Sequence, residues 1–220
     1  MDLDSFVYTA SHDLRSPLNN IETLLNFLKE EITDEKENTA LYMELMRKSV
    51  VDLKNTLQDL TTVTEIHTGD GKELVNLADV IKEVKVAHYN QIEETKASIE
   101  VDLAVPLLHI PKRHAKSLVY NMLSNALKFR STDRQLHVKI SSRIKGDNIL
   151  VSFSDNGIGI RKEDHGKVFM IFKRFNPEIA GRGVGMYLVK RVIDLNEGSI
   201  YLESQEKVGT TFHVELPMTK

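Results

Sequence analysis

The apolar positions along this chain change period once, near residue 70. Between Leu3 and Glu31 they fall at Val7, Ala10, Leu14, Ile21, Leu24 or Leu25, and Leu28, which is a helical stripe. Pro17 interrupts it, removing a backbone donor and crowding the preceding turn, and so predicts a kink. The polar run 33–38 reads as a turn and the start of a second helix. Along that helix Met43, Met46, Val50, Leu53, Leu57 and Leu60 advance in alternating steps of three and four, a heptad seam. Two helices with a short connection make an antiparallel hairpin, and each leaves one apolar face uncovered. Pairing with a second copy into a four-helix bundle buries both faces, so residues 1–67 are predicted to form a homodimer.

His67-Thr68-Gly69-Asp70-Gly71-Lys72 reads as a linker, and beyond it helical and alternating patterns mix. Strands are predicted over Leu74–Leu77, Ser98–Leu103, His137–Arg143, Ile149–Asp155, Ile200–Ser204 and Thr210–Leu216. Helices are predicted from Ala78 to about Thr95, over Lys112–Phe129, and over Gly185–Asn196 with Gly198 as its C-cap. Lys145-Gly146-Asp147-Asn148 has the composition of a hairpin turn. The fold class is α+β. The helical hairpin is followed over residues 72–220 by an α/β sandwich, one sheet covered by helices on a single face.

Composition narrows the class without naming it. The 220 residues suffice for two small domains with real cores. A net charge of -3 and the lack of any long Lys/Arg run leave no nucleic-acid footprint. With no cysteine, disulfides and thiolate chemistry are out. No apolar run approaches the roughly 20 residues of a membrane span. The expected location is cytoplasmic, either free or as the cytoplasmic part of a membrane-bound receptor.

Four short blocks carry the chemistry. The first is Ser11-His12-Asp13-Leu14-Arg15-Ser16-Pro17-Leu18. A phosphoacceptor imidazole needs one free nitrogen and a base near the other, and Asp13 lies about 100° around the helix from His12. Ser16, four residues on, shares the His12 face. The second block places Asn121, Asn125 and Lys128 on one helix face at spacings of four and three. An asparagine carbonyl oxygen suits magnesium, and Lys128 supplies a charge for phosphates. In the third, Asp155-Asn156-Gly157-Ile158-Gly159-Ile160, the carboxylate can accept from an exocyclic amine such as adenine's. Gly157 and Gly159 let the backbone turn tightly and approach a flat base. The fourth, Gly181-Arg182-Gly183-Val184-Gly185, opens a helix whose N–H groups can meet phosphates.

In this order the blocks resemble the core of a protein histidine kinase over nearly the whole chain. The first resembles its H-box, the second the N-box shared with gyrase, MutL and the large heat-shock chaperones, and the third and fourth its G1 and G2 boxes. Val168–Phe175 resembles the F-box, and Gly209-Thr210-Thr211-Phe212 the last glycine box. The resemblance implies ATP and Mg2+ as cofactors and autophosphorylation of His12 assisted by Asp13. It implies a magnesium site at Asn125, and onward transfer to an aspartate of a response regulator receiver domain. It also implies a phosphatase role for the position of Ser16, where the family usually has Thr or Asn, so a weak phosphatase is predicted. The related ATPases carry a water-activating glutamate where Asn121 stands, which favours a kinase over a hydrolase. Arg182 stands where the family has Thr or Ser, and the lid at 176–180 is short. Both keep open the alternative of a nucleotide-binding dimeric scaffold without kinase activity.

Overall fold

A computed structural model describes residues 19–25, 27, 41–47, 49–50, 71–171, 173–175, 179 and 183–218. The chain divides into two units, Met1–Thr68 and Gly69–Lys220. In the first, residues 19–25 and 41–47 are helical. The rings of Phe27 and Tyr42 lie 5.9 Å apart, so the two helical stretches touch where an antiparallel hairpin would turn. Tyr42, Met46 and Ser49, in steps of four and three, are the covered side chains of the second stretch. Met43 and Val50, one heptad apart on its seam, remain 58% and 51% exposed on a single chain.

The second unit, with elements numbered from its own start, runs β1 (Glu73–Asn76), α1 (Leu77–Ala87), α2 (Tyr89–Thr95), β2 (Ser98–Leu103), β3 (Leu107–Ile110) and α3 (Lys112–Lys128). It continues β4 (His137–Lys145), β5 (Asn148–Asp155), a short 3-10 helix (Lys162–Lys167), α4 (Gly185–Leu195), β6 (Ser199–Gln205) and β7 (Gly209–Pro217). Five strands form one sheet in the order β2-β4-β5-β7-β6, and β1 pairs with β3 in a separate antiparallel ribbon. The alternation along β5 and β7 divides the main sheet into two chemically distinct faces. Val151, Phe153, Phe212, Val214 and Leu216 join Leu118, Val119, Met122 and Leu123 of α3 and Val189 and Ile193 of α4 in the core. The other face is mostly polar, apart from the buried Leu150. There Ser152 meets His213 at 2.9 Å, Ser154 meets Thr211 at 2.9 Å, and Lys145 meets Glu215 at 2.6 Å. One covered face and one polar face is the half-buried sheet that the period-two pattern predicts.

Local chemistry explains the helix ends. Asn76 caps α1 by accepting from the Ala78 N–H at 2.9 Å, with Asp79 in the first turn and Lys85 in the last, as the helix dipole favours. The single helix predicted from Ala78 to Thr95 is two helices. His88 breaks it, buried beneath the helices with its Nδ1 3.1 Å from Val84 O and its ring 4.6 Å from that of Tyr120. The hydrophobic pattern gives no strand over Leu107–Ile110, where four residues lie between Pro106 and Pro111, yet β3 forms there. Strands β2 and β4 pair in parallel, because the connection between them carries α3 across the sheet. The C-cap of α4 also differs from expectation. Glu197 takes the left-handed conformation (φ 59°), whereas a side chain at Gly198 would collide with Glu215 O.

A helix-on-sheet core makes a simple demand on stability. Leu118, fully buried between α3 and its neighbours, is expected to cost about 2–5 kcal/mol when truncated to Ala. Ile144, 61% exposed at the end of β4, is expected to change stability by less than about 0.5 kcal/mol on the same truncation. Urea unfolding of the two variants checks the contrast.

Candidate functional site

The predicted site residues separate into two groups. His12, Asp13, Ser16 and Arg182 lie outside the described residues. Asn121, Asn125, Lys128, Asp155, Gly157, Gly159, Gly183, Val184 and Gly185 are described, and most converge at one end of the sheet. Strand β5 ends at Asp155, and α3 lies across its inner face. A cavity of about 10 Å³, room for a single water, separates them; it is lined by Met122, Asn125, Ala126, Phe153, Asp155 and Phe212 among others. Asp155 is the only acid among its lining residues.

Asp155 is half-buried as a whole residue, but its carboxyl end is packed away from water. Its Oδ1 accepts from the Gly157 N–H at 2.8 Å. Burial pushes its pKa up from 3.8 to about 6, against the opposing pull of the backbone N–H groups of Gly157 and Thr210. The site therefore holds a carboxylate with acceptor capacity left over and a standing cost of ionisation. Such a group gains most from a ligand that donates to it.

The loop after Asp155 is held on every side. Asn156 accepts from the His137 N–H at 2.8 Å through Oδ1 and donates from Nδ2 to Gln135 O at 3.0 Å. The Ile158 N–H donates to Phe129 O at 2.9 Å, Ile158 O accepts from the Lys207 N–H at 2.6 Å, and the Ile160 N–H donates to Ser204 Oγ at 2.8 Å. The glycines serve this packing, a reason different from the close approach to a base that the sequence alone offers. A Cβ at 157 would strike Phe129 O, and one at 159, where φ is 71°, would strike Gln205 O.

On α3, Asn121 and Asn125 play different parts. Asn121 donates from Nδ2 to Ser117 O at 2.8 Å, and its Oδ1 lies where a Cβ on Gly185 would come within 2.6 Å. Helix α4 thus starts directly against α3, and glycine at 185 permits it. Asn125 is half-buried, lines the Asp155 cavity, and makes no side-chain hydrogen bond to any described residue. Its amide is free for a ligand. Lys128, one turn further, is exposed. Gly183 has φ 73°, and α4 begins at Gly185 without a side-chain cap, so its first N–H groups are open donors. From the F-box stretch, Val168 is buried and Phe169 packs edge-on against Phe212 at 6.3 Å. Among the described residues no three His, Cys, Asp or Glu side chains gather into a metal cluster.

Sequence reasoning missed Arg134, in the loop between α3 and β4. Its guanidinium donates to Asn156 O at 2.7 Å and Gly157 O at 2.8 Å, and also to Lys207 O and Val208 O. No periodicity marks a residue in a polar connection, so only its charge sets it apart.

A buried acid at the end of a central strand, a free amide on the facing helix and an uncapped glycine-led helix define a two-layer α/β domain with a candidate ligand site between its layers. Family models agree on which. The model of the histidine kinase-, DNA gyrase B-, and HSP90-like ATPase matches residues 111–220, and that of the His Kinase A (phospho-acceptor) domain matches residues 2–69. The chain belongs to this ATPase family, with a phospho-acceptor domain preceding it, as in sensor histidine kinases. Cyanobacterial phytochrome A of Nostoc sp. is 32% identical over 224 residues, 99% of this chain and 29% of that protein. The structure of the Acinetobacter baumannii histidine kinase AdeS matches with a TM-score of 0.75 at 22% identity, over 95% of this chain and 98% of that one. Histidine kinase ThkA, solved in complex with response regulator protein TrrA, matches with a TM-score of 0.71 at 19% identity, over 99% and 62%. At these identities the two structures speak for the fold. The chain spans between 25% and 44% of the length of curated relatives it matches. Among the described residues no helix is long and apolar enough to cross a membrane.

The raised pKa of Asp155 has a stability consequence of definite sign. Folding raises the pKa from 3.8 to about 6, so the ionisation cost is fully present above pH 6 and is relieved as pH falls toward 3.8. Asp155→Asn keeps an acceptor for the Gly157 N–H and removes that cost. The variant is expected to be more stable than the parent at pH 7.5, by about 1–3 kcal/mol, with the gain gone by about pH 4. Urea unfolding at both pH values measures it.

Proposed function

We propose that this chain is the catalytic core of a sensor histidine kinase, transferring the γ-phosphoryl group of ATP to His12 and then to an aspartate of a response regulator. The observation that carries the reading is the buried Asp155 carboxylate with spare acceptor capacity facing the free amide of Asn125 across one cavity. The phospho-acceptor family match over residues 2–69, which includes His12, supplies the other reactant.

Asp155 accepts from the exocyclic amine of adenine, and its raised pKa falls as it does so. A purine needs more room than the single-water cavity, so binding it requires the site to open. Asn125 fits magnesium through its free carbonyl oxygen, and the nucleotide's phosphates complete a coordination shell that the described carboxylates do not provide. Magnesium bound there would neutralise charge on the phosphate oxygens. Lys128 and the open N–H groups of Gly183–Gly185 at the start of α4 draw the phosphates to the same end of the sheet. Val184 sits in this turn as the N-cap of α4, and Arg182, two residues before it in sequence, adds a second cation for the phosphate tail.

The step itself is phosphoryl transfer by positioning. A neutral imidazole nitrogen of His12 attacks the γ-phosphorus, the N–P bond forms, and the bond to the bridging β,γ oxygen breaks with ADP leaving. The proton on the other imidazole nitrogen passes to Asp13 or is held by it. Asn121 is no base, and its amide nitrogen is spent on Ser117 O, so the site lacks the group that would activate water in its place. Ser16, four residues after His12 in the sequence, offers a hydroxyl to orient water in dephosphorylating the regulator, and without the methyl of Thr it holds that water less firmly, so the phosphatase is weak.

Dimerisation belongs to this reading. Met43 and Val50 expose apolar side chains one heptad apart, and a second copy covers them as a four-helix bundle. Replacing both with Lys is expected to shift the full chain from dimer to monomer in sedimentation; a wild-type monomer would contradict the bundle.

The kinase reading is tested by incubating the chain with γ-labelled ATP and magnesium. Acid-labile label is expected on the wild type and none on His12→Gln, which should still bind ATP normally. Asp155→Asn is expected to weaken ATP binding by roughly ten- to a hundredfold. Absence of label from a wild type that binds ATP would favour the scaffold instead.

A further inference from the structure

Arg134 holds two consecutive peptide groups of the Asp155 loop from their carbonyl sides. Its Nε donates to Asn156 O at 2.7 Å and its Nη2 to Gly157 O at 2.8 Å. Each of these peptide groups is planar, so fixing the carbonyl fixes the N–H opposite. The N–H of the first is Gly157 N, which donates to Asp155 Oδ1 at 2.8 Å. The N–H of the second is Ile158 N, which donates to Phe129 O at 2.9 Å. Nη2 of the same guanidinium also donates to Lys207 O at 2.7 Å and to Val208 O at 3.2 Å, tying the loop to the β6–β7 turn. A cation drawing on the Asn156 carbonyl polarises that peptide and strengthens its N–H as a donor to Asp155.

We infer that Arg134 is a positioning residue for nucleotide recognition, setting the orientation of the Asp155 carboxylate through the Asn156–Gly157 peptide. The inference rests on Asp155 being the acceptor for the adenine amine. Arginine suits the task because its planar fork presents several donors at once, whereas lysine offers a point charge that cannot span the same carbonyls. Arg134 is not among the residues that line the cavity, so it acts on the site through Asp155.

The test compares affinities of the full chain for ATP and for purine riboside triphosphate, which lacks the 6-amino group. Wild type should prefer ATP. Arg134→Ala is expected to lose about tenfold in ATP affinity. Its affinity for purine riboside triphosphate should stay near that of wild type, so that the preference collapses. Arg134→Lys should recover part of the preference at most. Equal loss toward both nucleotides, or an unchanged preference, overturns the inference. So does failure of both variants to fold, which would make Arg134 a structural staple. A wild type that binds ATP without preferring it instead removes Asp155 as the amine acceptor, and the role of Arg134 falls with it.

Discussion

The arrangement of the C-terminal unit turns on a single costly choice, a carboxylate kept out of water at the end of a central strand. Asp155 gains only the backbone N–H groups of Gly157 and Thr210 and loses much of its hydration, and the balance leaves its pKa at about 6. A fold selected only for stability would place an amide or an apolar group there. The neighbouring structure is organised to hold that carboxylate in place. Phe129 O, Asn156, Lys207, Ser204 and Arg134 all grip the following loop, and glycines at 157 and 159 are there because side chains would push those grips apart. A site built at such expense is primed for a donor that arrives with the ligand.

The two layers set the distances. Helix α3 lies on the covered face with its apolar residues in the core, which turns Asn125 toward the Asp155 cavity and leaves Lys128 in solvent. Helix α4 abuts α3 where Gly185 meets Asn121, so the glycine-led helix start comes to the same end of the sheet as the strand that carries Asp155. The polar face of the sheet takes no part in this. Its contacts, such as Ser152 with His213 and Lys145 with Glu215, close the open side of the sheet with paired side chains.

Much of this was legible from residue order. The spacing of Asn121, Asn125 and Lys128 identifies a helix face, and Asp155-x-Gly157-x-Gly159 after an alternating run identifies a strand ending in a tight turn. Other features leave no periodic trace. Strand β3 is four residues between two prolines, too short to alternate recognisably, and it forms because β1 offers it a partner. His88 breaks a helix that its neighbours' pattern would continue, because a buried ring bound to Val84 O and packed on Tyr120 is a tertiary contact. The parallel pairing of β2 with β4 depends on the path of α3, and the grip of Arg134 on Lys207 O joins residues 73 positions apart. Glycine at 157, 159 and 185 also answers a packing need that the sequence does not show. An added Cβ would meet Phe129 O and Asp155 Oδ1, Gln205 O, and the Asn121 side chain respectively.

The buried carboxylate can be observed directly by following the Asp155 carboxyl carbon with NMR as pH is varied, in the full chain, free and with saturating Mg-ATP. The free protein should titrate near pH 6, and ATP should lower the midpoint clearly, because a bound amine donor favours the ionised form. A free midpoint near 3.8 would contradict the burial cost of Asp155, and a midpoint that ATP leaves unmoved would contradict the placement of the adenine amine on it.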